Sequence, residues 1–320
     1  MLSNYKNIRP LVIGLGVAGK RHLEAQLDLG IKTGVYTTNP QTAKSLRKKK
    51  DVIVFDNLED GINWSNLVHV CTPDDKHTKF IALALKKGKT IFCEKSFTTN
   101  LKDALALQKL AHEYNATVIV GQNYRLTPTF VETKRKILDA QLGAIIKIET
   151  TYLHDASDYQ KKYSSKNFLY TGGSHAVDLA YWIIGKPVVS VKATSATLLS
   201  YNIDITYSSG LSGNIKLDAN SSRVISGTDL IVYGEKGKLV SHNKSDKLLF
   251  HENGTKNPQT VDLPNTTTFT IPKEIKIIDD FLLGKNNSHQ PLPGIDDVVE
   301  VIKILDAALR SVSSGKGEFV

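Results

Sequence analysis

Glycines 14, 16 and 19 form a Gly-Leu-Gly-Val-Ala-Gly run directly after the apolar residues 11–13 and directly before a helix-like stretch, 18–29. In that setting the first glycine permits a tight turn, the second lets the backbone approach a pyrophosphate, and the third lets helix and strand pack closely. The backbone N–H groups of Val17 and Ala18 at the helix start then face the phosphates. A glycine turn alone joins strands to helices in many proteins. Here it opens the first of several strand–helix units, so a dinucleotide is the expected ligand. About 20 positions on, an acidic residue normally binds the ribose 2′-OH of NAD. This chain has Tyr36-Thr37-Thr38-Asn39 instead. Those neutral side chains can hydrogen-bond a 2′-phosphate without repelling it, which tilts the expectation to NADP, with NAD as the alternative. Thr38 and Asn39 serve equally well as caps of the helix that follows.

Between residues 11 and 121 short apolar runs alternate with amphipathic stretches of helical length. Strands are predicted at 11–13, 33–36, 52–54, 67–71, 90–93 and 117–120, and helices at 18–29, 41–49, 77–87 and 101–114. That alternation predicts an α/β domain with a doubly wound parallel sheet. Helical patterns at 128–140 and 174–184 follow, with period-two runs at 145–153, 188–198, 202–206, 212–218, 228–233, 237–241, 247–251 and 260–263 and closing helices at 272–283 and 295–313. Period-two runs broken by turn residues predict a large, mainly antiparallel open sheet in an α+β domain. The expected organisation is therefore a Rossmann domain over residues 1–122 and a substrate-binding and oligomerisation domain over 123–320. No internal repeat is found.

Beyond the glycine turn, Thr72-Pro73-Asp74-Asp75-Lys76-His77 follows the fourth predicted strand and Glu94-Lys95-Ser96 the fifth. Residues 84–88, 121–125, Gly172-Gly173-Ser174-His175-Ala176-Val177-Asp178 and 307–317 continue in the same order. This series of motifs resembles the Gfo/Idh/MocA oxidoreductases, a family that includes glucose-fructose oxidoreductase and inositol dehydrogenase, over nearly the whole chain. The resemblance implies hydride transfer between NAD(P) and a secondary alcohol or ketone of a sugar, nucleotide-linked sugar or polyol. It places Thr72, Pro73, His77, Glu94 and Lys95 at the cofactor, and Lys95, Arg125, Thr171 and His175 at the substrate. Lys95 would stabilise charge on the substrate oxygen. His175 would act as acid and base, since its pKa lies near working pH. Asp178 is expected to be structural. Two positions differ from the family pattern. Ser96 replaces a proline, so a cis peptide after Lys95 is not expected, and Thr171 replaces an aspartate and cannot act as a base. Acid/base work then falls to Lys95 and His175, with Tyr124 and Tyr170 as tyrosine candidates. The same two replacements leave a non-catalytic dinucleotide- or sugar-sensing regulator as the alternative.

Composition narrows the class. The 320 residues include 41% hydrophobic and 23% charged side chains, which excludes a disordered or collagen-like chain. No apolar run approaches a membrane span, and the polar start does not resemble a signal peptide, so a cytoplasmic location is expected. Cys71 and Cys93 read as small buried thiols, and no metal site is expected. The formal charge of +9 favours anionic ligands, phosphorylated small molecules among them. The lysine runs 48–50 and 86–87 lack interleaved aromatics and read as solvated helix ends, so nucleic acid is not an expected partner. A homodimer or homotetramer is expected from the open sheet face. The polar residues Asp155, Asp158, Tyr159, Lys161 and Lys166 fit a pocket wall and an exposed loop equally well.

Overall fold

The computed structural model describes residues 5, 7–155, 168–219, 227–264, 271–284 and 292–320. The chain divides into two compact units, Met1–Gln122 with Thr270–Val299, and Asn123–Phe269 with Glu300–Val320. The return of Thr270–Val299 to the first unit differs from the single cut expected at residue 122. Local patterning marks helices at 272–283 and 295–313, but only tertiary packing decides which core receives their apolar faces.

In the first unit six parallel strands lie in the order β3-β2-β1-β4-β5-β6. They are β1 (Pro10–Ile13), β2 (Thr33–Tyr36), β3 (Val52–Val54), β4 (Leu67–Val70), β5 (Thr90–Cys93) and β6 (Val118–Val120). The central strands β1 and β4 are buried along their whole length, as expected of strands covered on both faces. The helices are α1 (Val17–Asp28), α2 (Pro40–Leu46), α3 (Leu58–Trp64), α4 (His77–Leu85) and α5 (Leu101–Glu113). Helix α3 escaped the sequence pattern because it is short and carries Gly61, a weak helix former. Its start was nevertheless written in the sequence: Asn57 accepts a hydrogen bond from the Glu59 N–H, and Glu59 and Asp60 occupy the first turn.

The second unit is built on a nine-stranded sheet of order β14-β13-β12-β11-β7-β10-β9-β8-β15. Its strands are β7 (Ile145–Leu153), β8 (Val188–Thr197), β9 (Ser200–Tyr207), β10 (Ser212–Asp218), β11 (Gly227–Gly234), β12 (Gly237–His242), β13 (Lys247–Glu252), β14 (Gln259–Asp262) and β15 (Glu318–Phe319). Only β7 and β10 pair in parallel. One face, with Ile148, Ile203, Ile205, Leu217, Leu230 and Val232, is buried. Helices α6 (Pro128–Leu138), α7 (Phe168–Thr171) and α8 (Gly173–Ile184) follow β6 and β7 in the chain. Helix α8 packs on β7 and β10, and α6 on β12 and β13. The last helices are α9 (Ile271–Leu282), which packs on α1, and α10 (Ile295–Ser314). Among the described residues no helix is long and apolar enough to cross a membrane.

Candidate functional site

The glycine turn folds as its spacing demands. Gly14 has φ +86°, which a side chain would strain, and a Cβ at Gly19 would lie 1.9 Å from the Gly14 carbonyl oxygen. At Gly16 a Cβ would meet nothing within 4 Å, so this glycine leaves open space rather than close packing. Gly16 caps α1 without a side-chain hydrogen bond and the first turn holds no acidic residue. The helix therefore presents its N–H groups and positive dipole end to whatever fills that space.

A cavity of about 730 Å³ opens there, within the usual range for small-molecule sites. Ile13 to Gly16 form its floor and Tyr36, Thr37, Thr38, Asn39, Thr42 and Leu58 one side. Cys71, Thr72, Pro73, Asp75, Lys76, Lys79 and Phe80 form the other. These walls lie beyond the carboxyl ends of β1, β2 and β4, where open α/β sheets bind ligands. The Thr72 hydroxyl on the wall is buried with no partner among the described residues. Uncapped amides, an open glycine and an unsatisfied hydroxyl fit a dinucleotide.

Of the residues expected at the cofactor, Gly14, Gly16, Thr37, Thr38, Asn39, Thr72 and Pro73 line this cavity, whereas Val17, Ala18, Gly19, His77, Glu94 and Lys95 do not. Asn39 spends its side chain capping α2, accepting from the Thr42 N–H at 2.9 Å, and Thr37 Oγ1 accepts from the Asn39 N–H at 3.2 Å. His77 is buried instead of facing a ligand. Its Nδ1 lies 2.8 Å from the Ser96 carbonyl oxygen and its Nε2 2.7 Å from that of Thr72, so the ring ties the loop after β4 to the turn after β5. Glu94 turns inward as well, with Oε1 2.9 Å from His22 Nε2. Burial pushes the Glu94 carboxyl up, but the His22 hydrogen bond and the nearby Lys95 and His77 outweigh it and hold the group below its ordinary value. Contrary to expectation, the Lys95–Ser96 peptide is cis. Cys71 and Cys93 are both buried and free, and burial raises both thiols well above the ordinary value, which keeps them unreactive. Among the described residues no cluster could hold a metal.

In the second unit α8 carries His175 in its first turn. The ring lies 4.8 Å from that of Tyr124 and 6.3 Å from that of Tyr152, centroid to centroid. The Tyr124 oxygen accepts from Thr228 Oγ1 at 3.1 Å and Asn243 Nδ2 at 3.4 Å. Burial raises the Tyr124 pKa against a smaller opposing effect of Thr228, which favours the neutral phenol. Arg125 was expected at the substrate. It is buried, and its guanidinium grips both oxygens of Asp178, with Nη2 2.7 Å from Oδ1 and Nε 2.9 Å from Oδ2. Thr171 is buried in α7. Tyr170 is buried too, and burial, then the nearby Asp306, pushes its pKa up. Of the polar residues after β7, Asp155 is exposed and Asp158, Tyr159, Lys161 and Lys166 lie outside the described residues.

Comparison with known proteins identifies the lineage. The profile of an oxidoreductase family with an NAD-binding Rossmann fold, Gfo/Idh/MocA, matches residues 8–122, and that of its C-terminal α/β domain matches residues 134–318. The chain belongs to the Gfo/Idh/MocA family. It is thus an NAD(P)-dependent oxidoreductase acting on CH–OH groups. A similar curated protein, inositol 2-dehydrogenase of Rhizobium meliloti, is 26% identical over 94% of this chain and 96% of its own length. Glucose-6-phosphate 3-dehydrogenase of Bacillus subtilis is 26% identical over 58% of this chain and 57% of its own. Levoglucosan dehydrogenase in complex with NADH and levoglucosan shares the fold, with a TM-score of 0.85 at 19% identity over 98% of this chain and 99% of that one. The family's cofactor unit thus coincides with the strands that build the glycine cavity.

His22, Gln26, His69, Glu274 and Asp279 were missed by sequence reasoning. The available signal was a histidine inside the apolar run Leu67-Val68-His69-Val70 and two polar residues, His22 and Gln26, on the buried face of α1.

Proposed function

We propose that the protein is a dehydrogenase or reductase of a sugar, a phosphorylated or nucleotide-linked sugar, or a polyol. The observation that carries this reading is the cavity over Gly14 and Gly16, a dinucleotide site at the carboxyl ends of the strands, one strand removed from Lys95. The names of the relatives, which act on inositol and glucose 6-phosphate, support a polyhydroxylated substrate. The net positive charge favours an anionic one.

When bound, the nicotinamide supplies or accepts the hydride. Gly14, Gly16 and the start of α1 would hold the pyrophosphate, and Thr72 and Pro73 would line the same site. The Lys95 ammonium donates to the substrate oxygen and stabilises its alkoxide character. His175, braced by the rings of Tyr124 and Tyr152, gives or takes the hydroxyl proton. Tyr124 contributes a neutral hydrogen-bond donor and a packing surface. The wall formed by Tyr36 to Asn39 has no carboxylate to repel a 2′-phosphate, and Lys76 and Lys79 line the same cavity beside Asp75, which supports NADP alongside NAD as the cofactor.

Self-association accompanies this function. On the sheet face opposite the helices, Ile231, Val240 and Leu249 are adjacent across β11, β12 and β13 and only half-buried, which suits a homodimer or homotetramer.

The test is the initial rate of NAD⁺ and NADP⁺ reduction at 340 nm with myo-inositol, levoglucosan, glucose, glucose 6-phosphate and a nucleotide-linked sugar. Turnover of at least one member is expected. A folded protein that binds cofactor but turns over none of them, in either direction, would support the regulator instead.

A further inference from the structure

A chain of buried polar groups runs through the first unit from α9 to the turn that carries Lys95. Asp279 Oδ1 lies 3.3 Å from Gln26 Nε2, and the same nitrogen lies 3.3 Å from His69 Nε2. His69 Nδ1 lies 3.1 Å from His22 Nδ1, and His22 Nε2 lies 2.9 Å from Glu94 Oε1. Gln26, His22, His69 and Asp279 are all 0% exposed, so the chain is shut off from bulk solvent.

Each link fixes the next. The Asp279 carboxylate only accepts, so Gln26 presents its amide nitrogen and donates. A nitrogen that donates to His69 Nε2 needs a bare acceptor there, which puts the single proton of His69 on Nδ1. That proton is donated to His22 Nδ1, which must then be bare, and the single proton of His22 sits on Nε2. His22 therefore donates to Glu94, which accepts as a carboxylate. With Asp279 ionised, the reverse polarity would place the Gln26 oxygen against a carboxylate that only accepts. The His22 ring is further fixed by stacking on Phe92, with centroids 5.2 Å apart. Burial pushes the His69 pKa well down, in keeping with a neutral ring.

We propose that His22 and His69 form a neutral, one-directional hydrogen-bond relay that clamps the Glu94 carboxylate, making His22 a positioning residue for the adjacent Lys95. The proposal rests on the reading of Lys95 as the residue that acts on the substrate oxygen. A carboxylate anchored to the interior holds the end of β5, while His77 holds Ser96 on the other side of Lys95. His22 and His69 never touch the substrate. Their effect passes through the backbone of residues 94–96.

The test has two arms on the full-length protein. The first is long-range ¹H–¹⁵N NMR of the histidine rings without cofactor. It should show His22 protonated at Nε2 only and His69 at Nδ1 only. A doubly protonated ring at either position, or the opposite tautomers, overturns the relay whatever the protein's activity.

The second arm compares His22→Gln, whose amide nitrogen can replace the Nε2 donor, with His22→Phe, which cannot donate. His22→Phe should lower kcat by about 10-fold or more, with KM changed less than about 2-fold, as expected when a group is displaced by a fraction of an ångström. His22→Gln should recover most of kcat. Equal kcat in wild type and folded His22→Phe, or a His22→Gln variant no better than His22→Phe, overturns the positioning role. Failure of the underlying reading looks different: Lys95→Ala would then turn over normally while the tautomers stay as stated.

Discussion

The guanidinium of Arg125 spans both carboxylate oxygens of Asp178, 2.7 Å from one and 2.9 Å from the other, with both side chains buried. A bidentate pair of this kind joins the residues after β6 to helix α8, on which His175 sits. Removing one partner leaves the other charge buried and uncompensated. Asp178→Asn should therefore lower the unfolding free energy by about 3–5 kcal/mol, read from urea denaturation. A loss under about 1 kcal/mol, the value of an exposed pair, would contradict the burial argument.

The two inner glycines of the turn make opposite predictions. Gly19→Ala places a methyl group 1.9 Å from a backbone oxygen and should destabilise the first unit outright. Gly16→Ala meets open space, so its thermal midpoint should stay near that of the wild type while dinucleotide affinity falls. Calorimetry and nucleotide titration of the two variants separate the effects. Equal stability losses would contradict the account of the cavity.

Lys95→Ala should retain cofactor affinity and lose turnover by about 100-fold or more, the scale of deleting a preorganised charge-stabilising donor. His175→Asn should also lower kcat while leaving cofactor affinity near that of the wild type. Both are read from initial rates and from cofactor titration of the same preparations. A variant that loses cofactor binding instead would move that residue to the nucleotide.

Stability should depend on Glu274. Burial, reinforced by the negative charge of Glu94, raises its pKa from an ordinary 4.5 to about 8. The folded state thus keeps a proton that the unfolded chain releases. Its stabilising effect is complete below about pH 4.5 and is lost progressively as pH rises to about 8. Glu274→Gln should remove this slope and be the more stable protein at pH 8, by an amount on the order of a few kcal/mol. Denaturant midpoints at pH 5, 6.5 and 8 check the sign. A wild-type slope in the opposite direction would contradict it.

Much of this architecture was legible in the sequence because it is written locally. Period two and period 3.6 gave the strands and helices within a few residues, and Gly14 and Gly16 marked the cavity. Side-chain direction was not legible. Glu94 and His77 follow strands at the right place for ligand contacts, yet both turn inward, because the apolar interior supplies His22 and two carbonyl oxygens as partners from distant segments. Arg125 is likewise absorbed by Asp178, 53 positions away. The relay through Gln26 and Asp279 spans 253 positions. No pattern confined to a single helix or strand reveals such pairings.

The most direct test of the central claim is a parallel fluorescence titration of the purified protein with NADPH and NADH. Saturable binding of both, NADPH at least as tight as NADH, and loss of both in Gly16→Ala are predicted. No binding of either cofactor by a folded sample would contradict the assignment of the glycine cavity, and with it the hydride-transfer function.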